Sequence, residues 1–195
     1  MRIRTVGAIM GLTCASTVLM AQATSPGSPS LWKSVQGVVK SKLLLPGSRR
    51  FQPGSRNADY YTIDGVNTTV FRYVRKQRSV VHCSHFPVGS VLIKENYNKQ
   101  HKLVNITAMM KSPGYDAADH NWVMANYSPS GKVIAFGKIQ ACIDCHAIAA
   151  KTDFVFAPPP ANLLSASTIH AFFPGKRITA PYQRLLKQNA RSVLR

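Results

Sequence analysis

The run Cys142-Ile143-Asp144-Cys145-His146 holds the residues best suited to carry chemistry in this chain. Two thiols separated by two residues can reach the same edge of one porphyrin and add across its two vinyl groups, which makes two thioether bonds. The imidazole that follows can then reach the iron as the proximal ligand. This C-x-x-C-H spacing is the attachment signal for a c-type haem. The sequence therefore predicts one covalent haem c, attached through Cys142 and Cys145, with His146 as the metal ligand.

Two other kinds of site use paired cysteines at this spacing. A C-x-x-C pair can form a redox-active dithiol, or it can supply half of a zinc site. A zinc ribbon needs a second C-x-x-C pair, which the sequence lacks. A thioredoxin-like dithiol needs an order of strands and helices that the sequence does not show. Neither alternative accounts for the adjacent histidine, so haem attachment is the preferred interpretation.

The N-terminus has the pattern of a secretory signal peptide. Arg2 and Arg4 supply positive charge, residues 6–20 are mostly apolar but short for a membrane span, and Ala21-Gln22-Ala23 is an A-x-A cleavage site. The sequence therefore predicts cleavage of residues 1–23 and export to a periplasm, which fits the attachment of c-type haem outside the cytoplasm. An uncleaved membrane anchor is the alternative.

Cys83 is the cysteine left over once Cys14 departs with the signal peptide and two thiols go to haem. A single spare thiol cannot form an internal disulfide in an oxidising compartment. Free cysteine is usually buried, so an inert core thiol is the preferred interpretation. A bridge between chains, or a metal ligand beside His82 and His85, is the alternative.

Basic residues greatly outnumber acidic ones. The chain has 25 Lys and Arg against 7 Asp and Glu, and its formal net charge of +18 falls to +16 when Arg2 and Arg4 leave with the signal peptide. Such a field attracts anionic partners, which are an acidic redox protein, an anionic membrane surface or nucleic acid. No nucleic-acid-binding motif occurs, which argues against DNA or RNA. We expect an acidic redox partner, with general solubility as the other explanation of the charge, and a homodimer stays open.

The elements that must position the haem motif are mainly β. Apolar residues have helical spacing over 30–39, whereas alternation and turn signals from about residue 60 to 136 predict an antiparallel meander with one buried face. The haem motif follows the last strand, on a helix over about 139–150. The fold class is therefore mainly β (α+β), an antiparallel sheet domain with a few helices. The predicted strands are 60–63, 68–74, 88–95, 104–111, 122–127 and 132–136, with loops at 46–50 and 53–56, and turns at 64–65, 113–114 and 128–131.

Three successive prolines at 158–160 end this pattern. The haem domain is therefore predicted to span residues 24–160, and residues 161–195 form a basic C-terminal extension. Within the extension, one helical face is shared by Tyr182, Leu186, Ala190 and Val193. A docked helix, an electrostatic arm and a frayed end are the alternatives for this segment.

Five blocks of sequence occur in the order found in the cytochrome P-460 family. They are Phe86–Tyr97, Pro113–Tyr115, Asn121–Val133, Gly137–Ala141 running into the haem motif, and Asp153–Phe156. The chain resembles this family over roughly residues 30–157, and the C-terminal extension lies outside the resemblance. The resemblance implies an antiparallel sheet domain with one haem c, a five-coordinate iron with His146 as proximal ligand, and a largely apolar distal pocket.

The resemblance implies activity toward small nitrogen compounds. Cytochromes P-460 oxidise hydroxylamine and handle nitric oxide, whereas cytochromes c′-beta bind small gases. A periplasmic oxidoreductase acting on hydroxylamine or nitric oxide is the leading function, and a non-catalytic nitric-oxide-binding protein is the alternative. A simple electron carrier ranks last. Its sixth ligand would have to be a methionine, and Met109, Met110 and Met124 lie in strand patterns where Met usually fills the core.

Lys94 is the residue on which these activities differ. In the hydroxylamine-oxidising members, a strand lysine is bonded through its amine to a porphyrin meso carbon, and Lys94 falls at the matching place. An apolar pocket would favour the neutral, nucleophilic amine. The sequence therefore predicts that Lys94 lines the haem pocket as a cofactor-binding and catalytic residue, with a solvent-facing lysine as the alternative. The oxidising members also use a carboxylate to relay protons, and residues 137–141 contain none.

Overall fold

Six antiparallel strands form the centre of the computed structural model, which describes residues 27–194. The predicted signal peptide lies outside the described residues. In chain order, the helices and strands are α1 Ser28–Ser41, β1 Gln52–Arg56, β2 Asp59–Val66, α2 Thr68–Gln77, β3 Val91–Tyr97, β4 Leu103–Lys111, β5 Trp122–Tyr127, β6 Val133–Gly137, α3 Gln140–Ala147, β7 Leu163–Leu164, α4 Ala166–Phe172, α5 Ala180–Gln188 and β8 Val193–Leu194.

Strands β1 to β6 pair in sequence order, so the sheet is a simple meander. The mainly β, α+β class predicted from the sequence is confirmed, as are a helix before the sheet and a helix carrying the haem motif after the last strand. Helix α1 begins at Ser28, two residues before the segment 30–39 that has helical spacing, and Gly27 is its N-cap residue. No helix within residues 27–194 is long and apolar enough to cross a membrane.

The sheet has two differently covered faces, because side chains alternate along each strand. On one face, Val91 and Ile93 of β3 pack in a buried cluster with Leu31, Val35 and Val38 of α1. On the other face, a second cluster joins α2, α3 and the sheet. Its members include Val70, Val74, Leu92, Met109, Met124 and Ile143. Lys94 directly follows Ile93 in β3, so it lies on the opposite face from Ile93, which is the face that carries the haem-motif helix.

The segment 68–74, predicted as a strand, is instead the first part of α2. Asn67 is its N-cap, and the Asn67 side chain accepts a hydrogen bond from the backbone N–H of Val70. Val70 and Val74, four residues apart, are both completely buried. The β-branched and aromatic residues of this segment favour a strand, but the cap and the burial of one helical stripe outweigh that intrinsic preference.

Two further predictions at the start of the sheet are wrong. Residues 53–56, predicted as a loop, belong to β1, and residues 64–65, predicted as a turn, lie inside β2. Gly65 serves close packing rather than a turn. A Cβ atom there would lie 2.9 Å from Cγ1 of Ile93 on the neighbouring strand and 3.0 Å from Cγ1 of Val38 in α1.

The C-terminal extension docks on the outer edge of β1. The Thr179 hydroxyl donates to the carbonyl of Gly54 at 2.6 Å, and the Thr179 N–H donates to the carbonyl of Ser55 at 3.0 Å. The Arg56 guanidinium lies 3.6 Å from the centre of the Phe173 ring, a cation–π contact. Helix α5 is formed, with Tyr182 buried, so these residues match the docked-helix alternative rather than a frayed end.

Candidate functional site

Helix α3 presents the three reactive side chains of the C-x-x-C-H run on one face. Cys142, Cys145 and His146 stand at positions i, i+3 and i+4, which are neighbours on a helix surface. Ile143 is buried in the core cluster shared with α2 and the sheet, and Cys142 packs against the same cluster. The helix is therefore anchored on the core and holds two thiols and an imidazole together.

The imidazole of His146 is oriented by a backbone carbonyl. Its Nδ1 lies 2.6 Å from the carbonyl oxygen of Phe154. A carbonyl only accepts, so Nδ1 carries the proton and the lone pair of Nε2 is left for a metal. Burial lowers the pKa of His146, the hydrogen bond to Phe154 opposes that shift, and the positive charge of Lys94 adds to it. A lowered pKa favours the neutral ring, which is the form that binds iron.

Neither thiol of the motif is in a disulfide. Burial raises the pKa of Cys142 and of Cys145, and nearby cations oppose it. Arg56 acts on both thiols, and Lys94 acts on Cys145. Two free thiols and an imidazole with an open Nε2 on one helix face are the donor set that a c-type haem requires, so these residues fit that cofactor.

The zinc alternative finds no support in the described residues. Among residues 27–194, no group of three or more His, Cys, Asp or Glu side chains is arranged to hold a metal ion. Cys83 is completely buried, and burial raises its pKa to about 11. His82 and His85 beside it are exposed. This environment matches the inert core thiol that the sequence favours for Cys83.

Lys94 lies near the haem motif, on the sheet face that α3 covers. Its side chain is exposed, and its charge adds to the lowering of the His146 pKa and opposes the rise that burial causes in the Cys145 pKa. In the register of the sheet it stands opposite Asp64 of β2 and Thr107 of β4. The structure therefore brings Lys94 and the motif together, whereas its place in the haem pocket and its bond to the porphyrin stay predictions.

A polar row crosses the sheet at the level of Lys94. Asp64, Lys94, Thr107 and Asn126 occupy matching positions on β2, β3, β4 and β5. The Asn126 Oδ1 atom is buried and has no hydrogen-bond partner among the described residues. The resemblance implies a largely apolar pocket, but this row offers charged groups and hydrogen-bond donors and acceptors beside the haem motif.

Asp64 is a functional candidate that the sequence did not reveal. Its carboxylate accepts a hydrogen bond from the side-chain amide of Gln52. Burial raises the pKa of Asp64, and the Lys94 charge and the Gln52 hydrogen bond oppose the rise. The resemblance places a proton-relaying carboxylate near the haem, and residues 137–141, next to the motif in sequence, contain none. Asp64 is 78 positions before Cys142 and reaches this region only through strand pairing.

The methionines considered as axial ligands pack in the two cores. Met109 and Met124 are buried in the cluster shared by α2, α3 and the sheet. Met110 packs against the cluster on the α1 side of the sheet, the face opposite the haem motif. Their placement matches core filling, the role that strand methionines usually have.

An antiparallel sheet domain with a C-x-x-C-H helix packed on one face is the architecture of a haem-binding cytochrome. The family model described as Cytochrome P460 matches residues 55–157, from the end of β1 to just beyond the haem motif. The match covers more than half of the chain, so the chain belongs to the cytochrome P460 family. A comparison with curated proteins finds none that matches the chain significantly.

Proposed function

We propose that this protein is a periplasmic oxidoreductase that removes electrons from hydroxylamine or nitric oxide at one haem c. Cys142 and Cys145 attach the haem, and His146 is its proximal ligand. Bound haem c supplies an iron that cycles between two oxidation states. The observation that carries the oxidative function is the pairing of Asp64 with Lys94 beside the haem motif, because oxidation needs a group that removes protons as well as one that removes electrons.

Asp64 is proposed as the proton acceptor of the site. Each N–H or O–H bond of hydroxylamine that is lost on oxidation releases a proton. A carboxylate whose pKa burial raises is a stronger base than an ordinary one. Gln52 holds the carboxylate by a hydrogen bond, so the group is fixed rather than free to rotate into solvent. Asp64 thus supplies the role for which the stretch 137–141 offers no side chain.

Lys94 is proposed to line the pocket and to carry the bond to the porphyrin edge. Its neighbours Asp64 and Thr107 stand across the strand on either side and restrict where its amine can lie. Its influence on the pKa values of Cys145 and His146 supports a position within reach of the cofactor. A third covalent link would distort the macrocycle and change its absorption spectrum.

The experiment compares hydroxylamine oxidation by exported holoprotein with that of Lys94→Ala and Asp64→Asn, using a soluble one-electron acceptor. Both variants are expected to keep haem through the cysteines and to lose most of the activity. Lys99→Ala is the matched control, because Lys99 is an exposed lysine in the turn that follows the same strand. Full activity in Lys94→Ala would contradict the oxidative function.

The second candidate function is a nitric-oxide-binding protein without turnover. The exposure of the Lys94 side chain favours it, because a side chain that faces solvent is not held against a porphyrin edge. A tryptic digest of matured holoprotein separates the two functions. A free, unmodified Lys94 peptide supports the binding protein, and loss of that peptide supports the cross-linked oxidoreductase.

An acidic redox protein is proposed as the electron acceptor. The net charge, which is +18 for the full chain and +16 without Arg2 and Arg4, provides the attraction, and Arg75, Lys76 and Arg78 form an exposed basic group at the end of α2. Electrostatic steering weakens as salt screens it. The rate of electron transfer to an acidic partner is therefore expected to fall steeply with ionic strength, whereas a rate independent of salt would contradict this proposal.

A further inference from the structure

The carboxylate of Asp153 has hydrogen-bond partners in three different residues. Its side chain is completely buried. Lys111 Nζ lies 2.7 Å from each carboxylate oxygen, His120 Nδ1 lies 2.8 Å from Oδ1, and the backbone N–H of Phe86 donates to Oδ2 at 2.6 Å. An ionised carboxylate only accepts, so the Nδ1 of His120 carries a proton. Donors from three separate segments therefore converge on one side chain.

The backbone of the same residue is also held in place. The indole N–H of Trp122 donates to the carbonyl of Asp153 at 2.7 Å. Asp153 has φ of +55° and Phe154 has φ of +66°, so two successive residues with side chains adopt the left-handed region. That conformation is unfavourable for such residues and persists only where surrounding contacts enforce it. Here those contacts are the donors to Asp153.

The turn at Asp153 and Phe154 places the Phe154 carbonyl next to His146, the proposed proximal ligand. The Phe154 carbonyl that follows Asp153 is the acceptor for His146 Nδ1, at 2.6 Å. The Phe154 N–H donates to the carbonyl of Ala149 at 3.0 Å, which joins the turn to the end of the haem-motif segment. The ring of His120 packs against the Phe154 ring, with centroids 4.6 Å apart. Asp153 and His120 thus fix the residue whose carbonyl accepts the hydrogen bond from His146.

We propose that Asp153 is a positioning residue that sets how strongly His146 donates to the haem iron. A hydrogen bond from Nδ1 makes an imidazole a stronger ligand, and partners of this kind orient the ring as well. Through the turn at Phe154, the buried carboxylate fixes the length and direction of that bond. This inference rests on the proposed role of His146 and assigns to Asp153 no contact with haem or substrate.

The test is resonance Raman spectroscopy of the reduced holoprotein, with its midpoint potential, for the unmodified protein and Asp153→Asn. We expect a lower iron–histidine stretching frequency and a more positive potential in Asp153→Asn, because a weaker ligand stabilises the ferric state less. His120→Phe keeps a ring against Phe154 and removes one donor, so it should shift both quantities in the same direction by less. Asp119→Asn is the control, since Asp119 is a buried acidic residue directly before His120 in the sequence and has no hydrogen bond to Asp153.

A purely structural role would lower the melting temperature and leave the iron–histidine frequency unchanged. An unchanged frequency in Asp153→Asn overturns the proposal, and so does an unchanged frequency in His120→Phe if Asp153→Asn does not accumulate. Failure of the haem assignment looks different. The unmodified protein would then show no iron–histidine band, or no haem at all.

Discussion

Asp64 and Lys94 stand directly opposite each other on β2 and β3, in the sheet region next to the haem motif. The pair joins an amine and a carboxylate that lie 30 positions apart in the sequence. Burial raises the pKa of Asp64, and the positive charge of Lys94 opposes this rise. The carboxylate of Asp64 is thus a better proton acceptor than an ordinary one, and a lysine stands opposite it on the neighbouring strand.

The raised pKa of Asp64 has a consequence for stability. A carboxyl group whose pKa is higher in the folded state binds protons more tightly when folded, so its ionisation opposes folding as pH rises through and above its ordinary pKa of 3.8. Asp64→Asn is therefore expected to raise the melting temperature of the holoprotein at pH 7, and the gain should vanish near pH 3. Thermal denaturation at several pH values measures this difference.

Asp116 provides a control of opposite sign for that experiment. The hydrogen bond from Lys138 lowers the pKa of Asp116, so its stabilising effect is present at neutral pH and is lost as pH falls through the lowered value. Asp116→Asn should lower the melting temperature slightly at pH 7. The same direction of change in both variants would contradict the assignment of the Asp64 pKa.

Replacing Cys142 and Cys145 together by Ala should abolish haem staining on a denaturing gel, because no thioether bond could then form. Cys83→Ala is the matched control and should keep the stained band, since the Cys83 thiol is outside the C-x-x-C-H run, is buried and donates a hydrogen bond to the carbonyl of Ser79. A band that persists in the double variant would show that the haem is held by other residues.

The ferric haem is expected to be five-coordinate, with a high-spin absorption spectrum. Met109→Leu and Met124→Leu should leave that spectrum unchanged, because both side chains pack in the core rather than reaching for a ligand. A low-spin spectrum with a sulfur-to-iron charge-transfer band, lost in either variant, would support the electron-carrier function instead.

Ile143 should carry much of the energy that anchors the haem-motif helix. Its side chain is 6% exposed and packs in the cluster formed by α2, α3 and the sheet. Ile143→Ala is expected to lower the free energy of unfolding by about 2–5 kcal/mol, the usual cost of such a cavity. Chemical denaturation measures it, and Asp144→Ala on the exposed side of the helix should cost far less.

The exported protein should begin at Thr24. The A-x-A site behind an apolar run predicts cleavage after Ala23. Intact-mass spectrometry of the periplasmic fraction tests the prediction, and a chain that still carries residues 1–23 in that fraction would contradict it.

Strands β3 to β6 and helix α3 were predictable because alternation and the C-x-x-C-H spacing are local signals. Helix α2 was not, since Val70, Phe71, Tyr73 and Val74 all have strand propensity, and the cap at Asn67 is a single side chain. Physical context outside the segment decides such a case: the helical stripe is buried by the sheet and α3.

The haem-attaching residues were predictable for the same reason, as their chemistry is contained in five consecutive positions. Asp64 and Asp153 were not. Asp64 depends on the register of β2 against β3, and Asp153 depends on donors from positions 86, 111 and 120 that meet only in the folded chain. These contacts join residues that are far apart in the sequence, so no local pattern predicts them.

The docking of the C-terminal extension also covers the outer strand of the six-stranded sheet. An outer strand presents unpaired N–H and C=O groups that can recruit a strand from another molecule. Here Thr179 bonds to the carbonyls of Gly54 and Ser55, and Arg56 forms a bridge with Ile178. The extension, which lies beyond the family match, therefore blunts the β1 edge, and a chain shortened before it would expose a template for aggregation.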